Sequence, residues 1–244
     1  MSMNRRAGRR PGRGASSGGL WTPKRLPGLE LWLRADMGIT IGTGVSAWVD
    51  QSGTGDANKN AVQAVAGNQP TFNASDAAYG GRPTLSFASA SSQFLASGVW
   101  STPPSATGTD FTVGNTDNGV ATQVMSCFST GSTNGAIYMN TADDMRYFQG
   151  VDLLFTGAVT LASPHVYTSV HNGASTKVYQ DQNLCNTGNA GAGALGRVIV
   201  GSYTTTGLAP LNGKIAEIIS YNRVLSDGEV AQVQAYLKAR YGTP

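Results

Sequence analysis

Short alternating runs, broken by turn residues about every eight to fifteen positions, constrain this chain more than any other feature. Leu29–Asp36, Val45–Asp50, Thr84–Phe87, Gln123–Phe128, Gly135–Met139, His165–His171 and Lys214–Tyr221 are each strand-length, and Gly, Asn, Ser and Pro separate them. That rhythm fits strands joined by tight turns and leaves no room for a helical bundle. Composition agrees: there are 32 glycines, charged residues make up 13%, and Glu occurs only at Glu30, Glu217 and Glu229. No run of 18 apolar residues exists to form a membrane-spanning helix.

Within the first run, Leu29, Leu31 and Leu33 share a strand face opposite Trp32; Trp32 and Trp48 are both expected in the core. Phe111-Thr112-Val113 opens a central strand that Gly114-Asn115-Thr116-Asp117 is expected to interrupt. Asn172-Gly173 between two β-rich runs predicts a hairpin from His165–His171 into Lys177–Gln180. Lys214–Tyr221 reads as a long, half-buried strand, and the glycine-rich stretch 188–196 as a flexible connection. One helix is predicted over 227–241. Ser226 and Glu229 form a capping box, Leu225 and Val230 a hydrophobic staple, and Val230, Val233, Leu237 and Tyr241 an apolar stripe; Gly242 and Pro244 supply the stop.

The formal net charge of +3 hides a division. Residues 1–25 contain Arg5, Arg6, Arg9, Arg10, Arg13, Lys24 and Arg25 and no acid; the remainder holds ten basic against fourteen acidic residues, a formal −4. The chain therefore reads as an extended basic arm over 1–25 and one sandwich domain over 26–244. No apolar stretch follows the basic opening, so no secretory signal is expected. An arm of this length reaches roughly 80 Å when extended, enough to cross onto a neighbouring subunit. It could neutralise phosphates on a nucleic acid or dock across an acidic protein surface.

Leu29-Glu30-Leu31-Trp32-Leu33-Arg34-Ala35-Asp36, Trp48-Val49-Asp50-Gln51-Ser52-Gly53, Gly81-Arg82-Pro83 and the closing Leu211–Asp227 text resemble the laminin-G-like, concanavalin A-like domains. The likeness spans most of 27–242 and is weakest over 97–160. It implies an all-β fold: a two-sheet antiparallel jelly-roll sandwich with a short C-terminal α-helix. The resemblance implies no single activity, because its members include lectins, glycosidases and structural modules. Many occur in phage and bacterial surface proteins.

Candidate chemistry is sparse. A glycosidase of this fold needs a Glu-x-Asp-x-x-Glu pattern, and the three glutamates do not supply it. Asp143 and Asp144 are adjacent and read as loop residues. His165 and His171 lie roughly 20 Å apart along a strand, too far to share a metal. Cys127 and Cys185 read as free thiols. Run 188–196 lacks the Gly-Lys-Ser/Thr ending of a phosphate loop. No metal site is predicted. Calcium is the cofactor the loops leave open, through oxygens of Asp50, Asp56 and Asn58 or of Asn140, Asp143 and Asp144. Trp100, beside Thr102-Pro103-Pro104, is the expected surface aromatic for a glycan.

These readings converge on a non-enzymatic phage virion protein, assembled in the host cytoplasm and displayed as a capsid decoration protein. Its expected partners are major capsid or tail proteins and further copies of itself. A carbohydrate- or receptor-binding tail protein is the alternative, and a nucleic acid held by the arm ranks below both.

Overall fold

A computed structural model describes residues 21–117, 121–129, 134–157 and 160–244. They form two antiparallel sheets packed face to face as a jelly-roll sandwich, with one C-terminal helix. The first sheet runs β15 (Asn183–Gly188), β14 (Thr176–Gln180), β13 (His165–His171), β8 (Gly108–Thr116), β17 (Gly213–Tyr221), β6 (Arg82–Phe87) and β5 (Thr71–Asp76). β1 (Leu29–Arg34) joins β17 end to end with β6: β6 pairs Gly213–Ile215, and β1 pairs Glu217–Tyr221. The second sheet runs β12 (Asp152–Leu154), β11 (Met145–Phe148), β10 (Asn134–Met139), β9 (Gln123–Ser129), β16 (Val198–Val200), β7 (Leu95–Ala96), β4 (Ala61–Val62), β3 (Val45–Trp48) and β2 (Ile39–Ile41).

The main core lies between the sheets and includes Leu31, Leu33, Trp48, Leu85, Phe128 and Ile218. A second core lies on the outer face of the first sheet, under α1 (Asp227–Tyr241). There Val230, Val233, Leu237 and Tyr241 meet Trp32, Phe111, Val113, Ile219 and Tyr221. Each fully buried aliphatic side chain in that stripe contributes about 1.5–3 kcal/mol. Ser226 accepts from the Glu229 amide, Glu229 reaches back to the Ser226 amide, and left-handed Gly242 closes the helix. The sequence-predicted helix and its stop are therefore observed as expected.

Because the helix covers the first sheet, β8, β13 and β17 are buried on both faces, and Lys214–Tyr221 is not the half-buried strand its alternation suggests. Glu217, on the helix side of β17, joins the layers. Its Oε1 accepts from Trp32 Nε1 (2.6 Å) and Tyr236 Oη (3.1 Å); its Oε2 accepts from Tyr241 Oη (2.7 Å), with Arg240 Nε at 3.4 Å.

Four local expectations change. A bulge at Glu30 breaks the leucine alternation, so Leu29 packs with the helix-side core while Leu31 and Leu33 enter the main one. Gly114 does not interrupt β8. A Cβ there would lie 2.5 Å from the Lys214 carbonyl oxygen, so glycine permits close approach while the strand continues. The His165–Gln180 hairpin forms, but through a single turn of 3-10 helix at Gly173–Ser175 rather than a two-residue Asn-Gly turn. Stretch 188–196 is fastened: Ala190 is fully buried, and Gln149 Nε2 donates to the Gly193 carbonyl (2.8 Å).

The arm's expected limit also moves. Pro23 is buried and its carbonyl accepts from Tyr221 Oη (2.9 Å), Trp21 packs on Tyr236 of α1 (5.4 Å), and Lys24 lies over the Trp32 ring. Residues 21–25 thus belong to the body. Arg5, Arg6, Arg9, Arg10 and Arg13 lie outside the described residues.

Glu217→Ala is expected to lower unfolding stability by about 3–5 kcal/mol in denaturant titration, because buried Trp32 and Tyr241 and half-buried Tyr236 and Arg240 lose their shared acceptor. A pH effect follows from Glu229. The Arg223 guanidinium and Ser226 hold its carboxyl down at about 2, against an ordinary 4.5. A carboxyl lowered by folding adds stability above its ordinary range, and that stability disappears as pH falls from 4.5 toward 2. Glu217 has the opposite sign, since burial raises its pKa and acid relieves that cost. Thermal melts between pH 5 and pH 2 should therefore show a shallower acid loss for Glu229→Gln than for wild type; equal slopes would contradict this assignment.

Candidate functional site

The outer face of the second sheet is built in one register. Thr40, Ala47, Val62, Ala96, Ile199, Cys127, Ala136, Phe148 and Asp152 stand opposite one another, strand by strand, from β2 to β12. A parallel row places Val124, Tyr138, Arg146 and Leu154 side by side. Small apolar residues keep the middle of this face low, and the aromatic and charged residues gather over β10–β12.

Loop 201–212 crosses the same face and makes one wall of a groove. It is held by Tyr203 N to the Leu208 carbonyl (2.8 Å), Leu211 N to the Gly201 carbonyl (2.9 Å) and Val124 N to the Ala209 carbonyl (3.1 Å). Beneath it, the Cys127 thiol donates to the Tyr203 carbonyl (3.6 Å). The groove has a volume of about 430 Å³. Val124, Tyr138 and Phe148 form its floor; Tyr203 and Leu208 form its wall; Asp152 stands at its rim.

The polar groups are arranged as a chain. Tyr138 Oη donates to Asp152 Oδ1 (2.7 Å), while Arg146 lies between Asp152 (3.4 Å) and Asp144 (3.3 Å). Burial, together with the bond to Asp152, pushes the Tyr138 hydroxyl well above the ordinary phenol range, so it remains a donor. The groove thus offers aromatic faces, a fixed hydroxyl and a solvent-facing carboxylate held by Tyr138 on one oxygen and Arg146 on the other.

The sequence-predicted surface aromatic is elsewhere. Trp100 is 2% exposed, its indole donates to Ser97 Oγ (3.1 Å), and its ring packs edge-on against Phe128. It is a core residue and no platform for a glycan: the segment around it is exposed, at Val99, Ser101, Thr102 and Pro103, but the Trp100 side chain turns inward. Trp32 and Trp48 are buried as expected.

Each histidine has its own carboxylate: His165 Nδ1 lies 2.7 Å from Asp181 and His171 Nε2 lies 3.1 Å from Asp110. The cysteines are unpaired with each other. Loop residues expected to offer oxygens to calcium serve backbone amides: Asp50 accepts from Trp32 N and Ser52 N, Asp56 from Asn58 N and Ser101 N, and Asn140 from Ala142 N and Asp144 N. No cluster of three or more His, Cys, Asp or Glu side chains able to hold a metal occurs among the described residues.

No protein-family profile and no curated protein matches the chain. Solved structures do. Trypanosoma rangeli sialidase in complex with 2,3-difluorosialic acid superposes with a TM-score of 0.59 at 14% identity, over 94% of this chain and 35% of that one. The same sialidase with the inhibitor DANA gives 0.57 at 16% identity, over 84% and 32%. The CBM40 of Ruminococcus gnavus IT-sialidase bound to α2,3-sialyllactose gives 0.43 at 18% identity, over 54% and 84%.

This chain therefore spans about a third of the sialidases it matches. The expectation of a non-enzyme is corrected by that likeness, because the same fold is built into chains that are enzymes. The missing Glu-x-Asp-x-x-Glu pattern belongs to one glycosidase arrangement and carries no wider exclusion. What the likeness establishes is the fold, a β-sandwich of the kind these sialidases contain.

Proposed function

We propose that the sandwich binds a carbohydrate in the groove between β9–β12 and loop 201–212. The observation that supports this reading is the meeting of Tyr138 and Phe148 on the floor with Tyr203 on the wall, and Asp152 at the rim. Aromatic faces suit the C–H surfaces of a pyranose ring, and a carboxylate and a hydroxyl can fix its hydroxyl groups. Strand register holds the floor in place before any ligand arrives, which reduces the ordering cost of binding.

A second reading concerns where such a module is carried, and the charge division favours it. Residues 1–20 contain five arginines and no acid. We propose that this segment fastens the body to an acidic surface of a virion, as in capsid decoration, with capsid or tail proteins and further copies as partners. The segment leads into Trp21, which packs on α1, and the groove lies on the opposite sheet. Attachment and ligand binding would then use separate faces.

Glycan titration of the full chain tests the first reading. Tyr203→Ala and Asp152→Ala should each weaken binding about tenfold, roughly 1.4 kcal/mol, with an unchanged melting temperature. Unaltered affinity in both variants, or no glycan bound, would overturn it. Deleting residues 2–20 tests the second: incorporation into particles should be lost while glycan binding stays, and full incorporation without the segment would overturn it.

A further inference from the structure

Lys59 is a lysine at 2% exposure in a loop, fixed at the end of a 3-10 turn, Ala57–Lys59. Its Nζ lies 5.1 Å from the centre of the Trp100 ring. It donates to the Glu30 carbonyl (3.0 Å), to Thr54 Oγ1 (3.1 Å) and to Glu30 Oε1. The other oxygen of the same carboxylate, Glu30 Oε2, accepts from Asn222 Nδ2 (3.1 Å). Asn222 follows β17 and is held over Gly28: its amide donates to the Gly28 carbonyl (2.9 Å), and a Cβ on Gly28 would lie 2.7 Å from Asn222 Oδ1. One buried carboxylate therefore has an amine on one oxygen and a carboxamide on the other. The amine and the carboxamide thus converge on one carboxylate from its two sides.

We propose that Lys59 and Asn222 become joined by an intramolecular amide bond, with Glu30 moving the proton. Glu30 takes a proton from the Lys59 ammonium, and the neutral amine attacks Asn222 Cγ. The Nζ–Cγ bond forms and the Cγ–Nδ2 bond breaks. Glu30 returns that proton to the departing Nδ2, and the second proton that Nζ sheds as the new amide forms follows it through Glu30, so the leaving group departs as ammonium at the solvent edge where Asn222 is exposed. The product keeps one amide for one amide, so no oxidant, reductant or activated donor is required. Burial of the amine against Trp100 excludes water from the nucleophile, while the carboxylate between the partners supplies the acid and the base. The joined residues belong to the loop after β3 and the end of β17, far apart in sequence and adjacent in the fold.

Mass spectrometry of the purified full chain tests this directly. The expected result is a mass about 17 Da below that of the linear sequence, with a branched proteolytic peptide linking the segments of Lys59 and Asn222. Lys59→Arg, Glu30→Gln and Asn222→Ala should each restore the linear mass. Wild-type peptides containing unmodified Lys59 and unmodified Asn222 in full yield would overturn the proposal, as would Asn222 recovered as aspartate. The wild-type measurement decides the matter even if a variant fails to fold.

Discussion

The helix and the sheet beneath it meet at one carboxylate. Glu217 is fully buried, and its oxygens collect donors from β1 through Trp32 and from α1 through Tyr236, Arg240 and Tyr241. Burial raises its pKa, which marks the cost of holding the group there. That cost is offset by four directed contacts that apolar side chains could not make, so they fix the helix in position as well as in depth. The strands around Glu217 depend on the same arrangement, because β17 is the strand to which β1, β6 and β8 all pair.

Local patterns in the sequence carried far, and where they stopped has a physical reason. Ser226, Glu229, the valine–leucine stripe and Gly242 specify a helix through contacts within a few residues, so that element was legible in full. Trp32 and Trp48 could be assigned to the core from alternation alone. Alternation failed where the backbone adds a residue or lets two chains approach. Glu30 bulges and reverses the face of Leu29; Gly114 makes room for the Lys214 carbonyl rather than ending a strand. Both are decided by a neighbour distant in sequence.

The groove lies at the far end of that scale. Val124, Tyr138, Phe148 and Asp152 share no motif, and they meet only because four strands align in one register. Tyr203 joins them from a loop whose Ser-Tyr-Thr-Thr-Thr-Gly text suggests a turn and nothing more. An aromatic residue inside turn text was the one available signal. Trp100 drew attention for the opposite reason: prolines beside a tryptophan resemble a surface loop, but its indole nitrogen finds Ser97 and its ring finds Phe128. Composition also misled on chemistry, since scarce glutamate excludes one acid pair and says nothing of the other uses to which this fold is put.

The row from Thr40 to Asp152 makes changes of length more damaging than changes of identity. Side chains alternate along these strands except at the bulge in β9 that puts both Val124 and Cys127 on the outer face, so one further residue gained or lost within β9, β10, β11 or β12 turns that strand's outward residues inward beyond the change. Tyr138 or Phe148 would then enter the main core while Ile137 or Tyr147 faced water. A pair of residues gained together restores the parity and shifts the row by one repeat. Variation in this protein is thus expected to be freest in the connections, tolerant at individual outward positions, and least forgiving of odd insertions within the strands beneath the groove.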